Sequence, residues 1–284
     1  MNEQKCNTAY GWRNITNLRF ADDIDGLAGE EDEFRNLVKC RNEKSRVAGM
    51  EISAEKTKAM TNRSEGLSSD IVVNGSKLEV VESFKYLGAT ITEEGAKKEV
   101  VCRIAQATAA MTKLSTVWKD RDITLKTKIR LMRSLVTSIF LYACESWTLK
   151  KDIEKRIQAF EMRCYRHLLG INFRDHITNE EVLARIKTAA GPQKELLKIV
   201  RERKLRWFGH VTRSEGMAKT ILQGPAPGKR GRGRPRRSWM DDIKEWSGLG
   251  GRGLQSHAHN REEWRKLVHV ASLVPQRPPR LRER

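Results

Sequence analysis

No run of apolar residues in this 284-residue sequence approaches the ~20 needed to span a bilayer. No strongly amphipathic basic helix stands out at either end, which argues against a membrane partner. There is no Cys-x-x-Cys pair, and the five cysteines (Cys6, Cys40, Cys102, Cys144, Cys164) are odd in number and widely scattered. With no secretory signal expected, a disulfide scaffold is excluded and a reducing compartment follows. A zinc knuckle has no ligand set here. Cys164 and His167 lie one helical turn apart, but Cys164 is needed for an apolar stripe. Acidic residues also run short toward the C-terminus. Residues 1–92 carry 13 Lys/Arg against 15 Asp/Glu, residues 93–200 carry 21 against 13, and residues 201–284 carry 21 against 8, within a net charge of +19. This asymmetry points to a polyanion, most plausibly nucleic acid, because clustered cations gain from counterion release.

What is present begins with Phe20-Ala21-Asp22-Asp23, two adjacent carboxylates between the apolar run Ile15 to Phe20 and the segment Ile24 to Ala28. A strand, a tight turn and a returning strand would hold acidic side chains on the rim of a sheet, where Mg²⁺ finds oxygen ligands. Asp-Asp at a hairpin is also an ordinary solvated turn, since Asp hydrogen-bonds its own backbone there. Asp25-Gly26 interrupts the returning strand and is expected to weaken its pairing.

The periodicity divides the chain. Residues 1–10 show none and are expected to be disordered. Glu30 to Glu33 suit the first turn of a helix with Phe34, Leu37 and Val38 on its apolar face, stopped by Gly49. Ile71 to Val73, Asn74-Gly75 and Lys77 to Val81 predict a hairpin with a two-residue turn, and Phe84 to Thr92 reads as a further strand. Beyond Thr92 the spacing becomes helical, with helices expected from about Val100 to Trp118, Leu125 to Ile139 and Ile153 to Leu168. Helical stretches around 179–187 and 195–211 follow, and these helices should pack as a bundle. From Gly216 to Arg237 the chain turns Gly/Pro/Arg-rich and should stay flexible until it meets a partner. Short helices are expected at Trp239 to Trp246 and Arg261 to Val270.

Ala48 to Met60, with Gly49-Met50-Glu51-Ile52 and Lys56-Thr57-Lys58, follows the Asp pair, and Phe84-Lys85-Tyr86-Leu87-Gly88 follows that. In order and spacing these segments resemble the last motifs of the reverse transcriptases of non-LTR (LINE-like) retrotransposons. The likeness continues through Leu141 to Trp147, Leu205 to Val211 and Gly233 to Trp239, so that it spans roughly residues 12–240.

The resemblance implies an α+β fold. A partial polymerase palm would occupy residues 1–92 and a helical thumb or connection 93–215. A basic linker at 216–238, short helices at 239–270 and a disordered tail at 271–284 would follow. It also implies Mg²⁺ ligation and catalysis by Asp22, supported by Asp23, with Lys56 near an incoming triphosphate. Lys56 reads equally as a solvated turn lysine. Phe84, Lys85, Tyr86, Leu87 and Gly88 would form the primer grip, or serve as a bridge between sheet and bundle. The fingers and the earlier metal-binding Asp of a complete enzyme have no counterpart ahead of Asp22, where the only acid is Glu3. The expectation is therefore a polymerase fragment that retains nucleic-acid binding without autonomous synthesis. The rival is a non-enzymatic binding or scaffold protein of the same descent.

Lys229, Arg230, Arg232, Arg234, Arg236 and Arg237 form a cationic run with no acid among them. They suit generic phosphate contact with RNA or DNA. Arg232-Gly233-Arg234-Pro235 also resembles the core of an AT-hook, which lies in the narrow A·T minor groove, and a solvated linker is the plain alternative. The run resembles a nuclear localisation cluster too, which makes the nucleus the expected compartment, with the cytoplasm also open.

Overall fold

The computed structural model describes residues 9–10, 13–14, 17–61, 70–92, 95–224 and 237–273. The chain is α+β and helix-rich, and its sheets among the described residues are all two-stranded. It divides into two compact units, one of residues 1–93 with 214–235, the other of residues 94–213 with 236–284.

In the first unit β1 (Ala9–Tyr10) pairs with β2 (Arg13–Asn14), so the end of the stretch expected to be disordered is paired. The acidic hairpin follows as β3 (Asn17–Phe20) and β4 (Asp23–Gly26), antiparallel with Phe20 opposite Asp23. Ala21, at φ +53°, makes the two-residue turn with Asp22. β4 runs through Asp25 and Gly26 rather than being interrupted there. Gly26 is a point of close approach instead, because a Cβ on it would lie 2.8 Å from Leu37 Cδ2.

That leucine belongs to α1 (Glu31–Val47), whose first turn carries Glu31, Asp32 and Glu33 and whose last carries Lys44 and Arg46, charges that complement the macrodipole. β5 (Lys58–Ala59) pairs in parallel with β8 (Glu79–Val80), and β6 (Val72–Val73) with β7 (Ser76–Lys77) around Asn74-Gly75, both at positive φ. Ala59, Ile71, Val73 and Leu78 form a small core, covered by Phe34, Val38, Ile52 and Ala54. The expected single strand at 84–92 is a hairpin, β9 (Ser83–Tyr86) and β10 (Ala89–Thr92), turned by Leu87 and Gly88 at φ +47° and +80°. The expected Gly/Pro/Arg linker also contains a helix, α9 (Met217–Gln223), which falls in this unit's second segment.

The second unit is helical. α2 (Lys97–Lys113) stops short of Trp118, which lies on a separate α3 (Ser115–Lys119). α4 (Leu125–Leu131) passes through a π-helical stretch, Met132–Thr137, into α5 (Ser138–Phe140). A 3-10 turn at Cys144–Ser146 leads to α6 (Lys151–Leu169). α6 buries Ile153, Ile157, Phe160, Cys164 and Leu168, the stripe expected from the 3–4 spacing, and packs on α2, α3 and α4. Its last carbonyls are closed off by Gly170 at φ +66°.

α7 (Asn179–Ala190) and α8 (Leu196–Arg213) complete this half. α8 then receives α10 (Trp239–Ser247), α11 (Gly251–His259) and α12 (Arg261–Leu273). α11, which contains Gly251 and Gly253 and follows Gly248 and Gly250, was not expected, and α12 runs past Val270. No helix among the described residues is long and apolar enough to cross a membrane.

Candidate functional site

Asp22 and Asp23 stand exposed on the β3–β4 turn and the start of β4. Asp25, two residues on and on the same face as Asp23, has its carboxyl raised above the usual range by burial and by the charge of Asp23. Tyr86, in the 84–88 segment, has its phenol raised by desolvation and then by the charges of Asp25 and Asp23. Phe84 and Tyr86 are half-buried while Lys85 and Leu87 are exposed. Lys56 is exposed on the turn Ala54–Lys56, its backbone N–H donating weakly to Ser53 Oγ at 3.4 Å. No group of three or more His, Cys, Asp or Glu side chains that could hold a metal occurs among the described residues. The carboxylates brought together here all come from one hairpin. They do not fit a two-ion centre, which needs ligands from separate elements.

Cys164 is buried on the α6 stripe with its thiol pushed up to about 12, chiefly by desolvation, whereas His167 faces outward. The two do not converge on a metal.

Of the cationic run, Lys229 to Arg236 lie outside the described residues. Arg237 is described, and its guanidinium is engaged within the chain. Nε donates to Asp242 Oδ1 at 2.7 Å, and Nη2 pairs with Glu245 at 2.6 Å. Partial burial works against its charge, but the hydrogen bonds to Glu245 and Asp242 outweigh it and hold the group above its usual value.

Asp242 is the centre of an arrangement that sequence reasoning missed. Its side chain and that of Lys204 are fully buried and form an ion pair. Lys204 Nζ also donates to the Trp147 carbonyl at 2.6 Å, and Asp242 Oδ2 accepts the Leu149 N–H at 2.8 Å. The Lys204 ammonium sits 4.6 Å from the Trp239 ring centroid and 5.4 Å from that of Trp246. Trp239 Nε1 in turn donates to the Glu145 carbonyl at 2.8 Å. Burial lowers the Lys204 ammonium to about 8 against the opposing pull of Asp242. Desolvating two charges is unfavourable unless their remaining donors and acceptors are met; Asp242 accepts from Lys204, Leu149 and Arg237, and Lys204 has two oxygen acceptors and two indole rings nearby.

Three segments far apart in sequence therefore meet in one place. Leu141 to Trp147 contributes backbone carbonyls, α8 with its Leu205 to Val211 segment contributes Lys204, and the end of the Gly233 to Trp239 segment contributes Arg237 and Trp239. A signal was available for Lys204. It occupies the stripe of Leu197, Val200, Phe208 and Val211, where only an apolar or a fully paired residue fits.

An uncharacterized transposon-derived protein of Caenorhabditis elegans is 29% identical to this chain over 242 residues, covering 82% of this chain and 85% of that protein. No family model matches the sequence, and no solved structure matches the fold.

Proposed function

We propose that the chain derives from a non-LTR retrotransposon reverse transcriptase and now acts by binding nucleic acid rather than by autonomous synthesis. The first unit is read as a palm remnant, with Asp22 and Asp23 as its former metal ligands and residues 84–88 as its primer grip. The helical unit is read as the thumb and connection. Descent from a transposon is supported by the C. elegans relative. The ordered motif resemblance over roughly residues 12–240 supports the narrower polymerase reading.

One observation carries the binding half of this proposal. The cationic run Lys229 to Arg236 is followed at once by Arg237 and Trp239, both fastened to the buried Lys204–Asp242 pair. A basic segment is thus joined to a braced point in a unit whose own sequence is strongly positive. Such a junction suits phosphate contact, in which each neutralised phosphate adds to affinity and to salt dependence. The reading without autonomous synthesis is supported by the place of Asp22 and Asp23 on one hairpin, since two-ion chemistry needs carboxylates converging from separate elements.

The test combines primer extension with binding. The purified chain should not extend a primer on RNA with Mg²⁺ or Mn²⁺, and should bind duplex and single-stranded oligonucleotides with a steep salt dependence. Template-dependent extension abolished by Asp22→Ala, or no binding to either nucleic acid at low salt, would overturn the proposal.

A further inference from the structure

The outward side of α6 holds an open groove of about 620 Å³, closed on one side by the start of α7. Lys155, Arg163, Arg166 and His167 line it over a floor that includes Met162 and Ile171, and no carboxylate is among its lining residues. Arg166 is fixed in place, one nitrogen donating to Asn179 Oδ1 at 2.7 Å and the other to the Ile177 carbonyl at 2.8 Å. Lys155, Arg163 and His167 lie in one i, i+4 row of the helix, so their positions span roughly 18 Å at the usual rise per residue.

Two residues beyond Ile171, Phe173 is 92% exposed. An aromatic face left this open to solvent is available to stack on a planar ligand. It is not carried on a loose loop. Asn172 and Asp175 form a reciprocal capping box around the 3-10 turn Phe173–Asp175, with the Asn172 N–H donating to Asp175 Oδ2 at 2.7 Å. The His176 ring stands 6.0 Å from the phenyl ring. Arg174 adds a further exposed cation beside it.

We infer that this groove and Phe173 form a docking site for single-stranded nucleic acid, with phosphates tracking the cations of α6 and an unstacked base resting on the Phe173 ring. The inference rests on the nucleic-acid reading above and adds a structured site separate from the cationic run. The groove's own positive lining, free of carboxylates, selects a polyanion. The braced, exposed ring selects one whose bases are free to stack, which a duplex does not offer.

The test uses the full chain with a fluorescein-labelled oligothymidylate and a duplex of equal length, measured by anisotropy. Phe173→Ala should weaken oligothymidylate binding by about tenfold and leave the duplex unchanged, since base–aromatic stacking is sequence-tolerant and specific to single strands. Phe173→Trp should restore affinity. Lys155→Gln with Arg163→Gln should flatten the salt slope on the oligonucleotide by about 1.4, at about 0.7 for each phosphate no longer neutralised. These positions are solvent-facing, and circular dichroism of each variant is the check that the fold is kept.

Unchanged oligothymidylate affinity in Phe173→Ala, or displacement by polyglutamate as effective as by unlabelled oligonucleotide, would overturn the site while leaving the broader reading in place. Absence of all nucleic-acid binding by the unaltered chain would overturn both.

Discussion

Lys204 and Asp242, 38 positions apart in sequence, form an ion pair in which neither side chain reaches solvent. Its two members are not equally supported. Without Lys204, Asp242 still accepts from Arg237 and from the Leu149 N–H. Without Asp242, Lys204 keeps only the Trp147 carbonyl and the faces of Trp239 and Trp246, and the Leu149 N–H loses its acceptor.

Asp242→Ala is therefore expected to cost about 3–5 kcal/mol, the usual penalty for stranding a buried charge. Lys204→Met, which keeps the volume and removes the charge, should cost clearly less. Urea denaturation of the two variants gives the order. A larger loss in Lys204→Met would mean that the lysine, rather than the aspartate, organises the junction.

A second prediction concerns Gly209 on α8. A Cβ there would sit well inside van der Waals contact with Nε1 and Cδ1 of Trp264, whose Nε1 donates to the Leu205 carbonyl at 2.9 Å. Helix propensity alone favours alanine over glycine by about 1 kcal/mol. Here the steric clash should reverse the sign, because the buried indole must move and its hydrogen bond be broken, a net destabilisation of about 1–3 kcal/mol. Equal or greater stability of Gly209→Ala in urea would show that α12 yields easily.

The third prediction is a pH dependence. The Glu161 carboxyl, buried on α6, is raised to about 7, mainly by desolvation, against the hydrogen bonds it accepts from the Leu196 N–H at 3.0 Å and the Tyr165 hydroxyl at 3.3 Å. Its ordinary value is 4.5. The folded chain therefore holds the proton more tightly than the unfolded chain, and this contribution to stability is full below about pH 4.5 and declines as pH rises toward 7.

Glu161→Gln keeps an acceptor for both donors and removes the titration. It should raise stability at neutral pH by on the order of 1–3 kcal/mol and flatten the stability profile across that window. A variant less stable than the parent at pH 8 would indicate that the ionised carboxylate is the favoured form.

The helices that carry most of the second unit were legible because their apolar residues recur at 3–4 spacing over long stretches, as in Ile153, Ile157, Phe160, Cys164 and Leu168. The β9–β10 hairpin was hidden for a local reason. Its turn uses Leu87 at φ +47°, a side chain that rarely takes that conformation, so the usual Asn-Gly signal is missing. α11 was hidden by its glycines, whose poor helix propensity is overridden when Leu254 and Ala258, one turn apart, are buried.

The candidate site divides in the same way. Order and spacing pointed to the acidic hairpin, but Asp25-Gly26 read as an interruption of the returning strand, which hid that Asp25 continues it on the face of Asp23. The buried pair escaped notice because Lys204 stands among Arg201, Arg203 and Arg206, where a run of cations reads as a solvated helix face.

The last prediction separates binding from bracing within the cationic run. Composition groups Arg237 with Lys229, Arg230, Arg232, Arg234 and Arg236, yet its guanidinium is held by Asp242 and Glu245. If those five others contact duplex phosphates, replacing them with glutamine should flatten the slope of log affinity against log salt by about 4.5, at about 0.9 for each phosphate. Arg237→Gln should leave that slope unchanged. It should instead lower the urea midpoint, because Asp242 then keeps Lys204 and the Leu149 N–H but loses its partner on the outer side. Measuring both quantities on both variants keeps the two roles apart. A slope change in Arg237→Gln equal to that of one neutralised phosphate would mean that the ion pair opens on binding, and that Arg237 joins the phosphate-binding set after all.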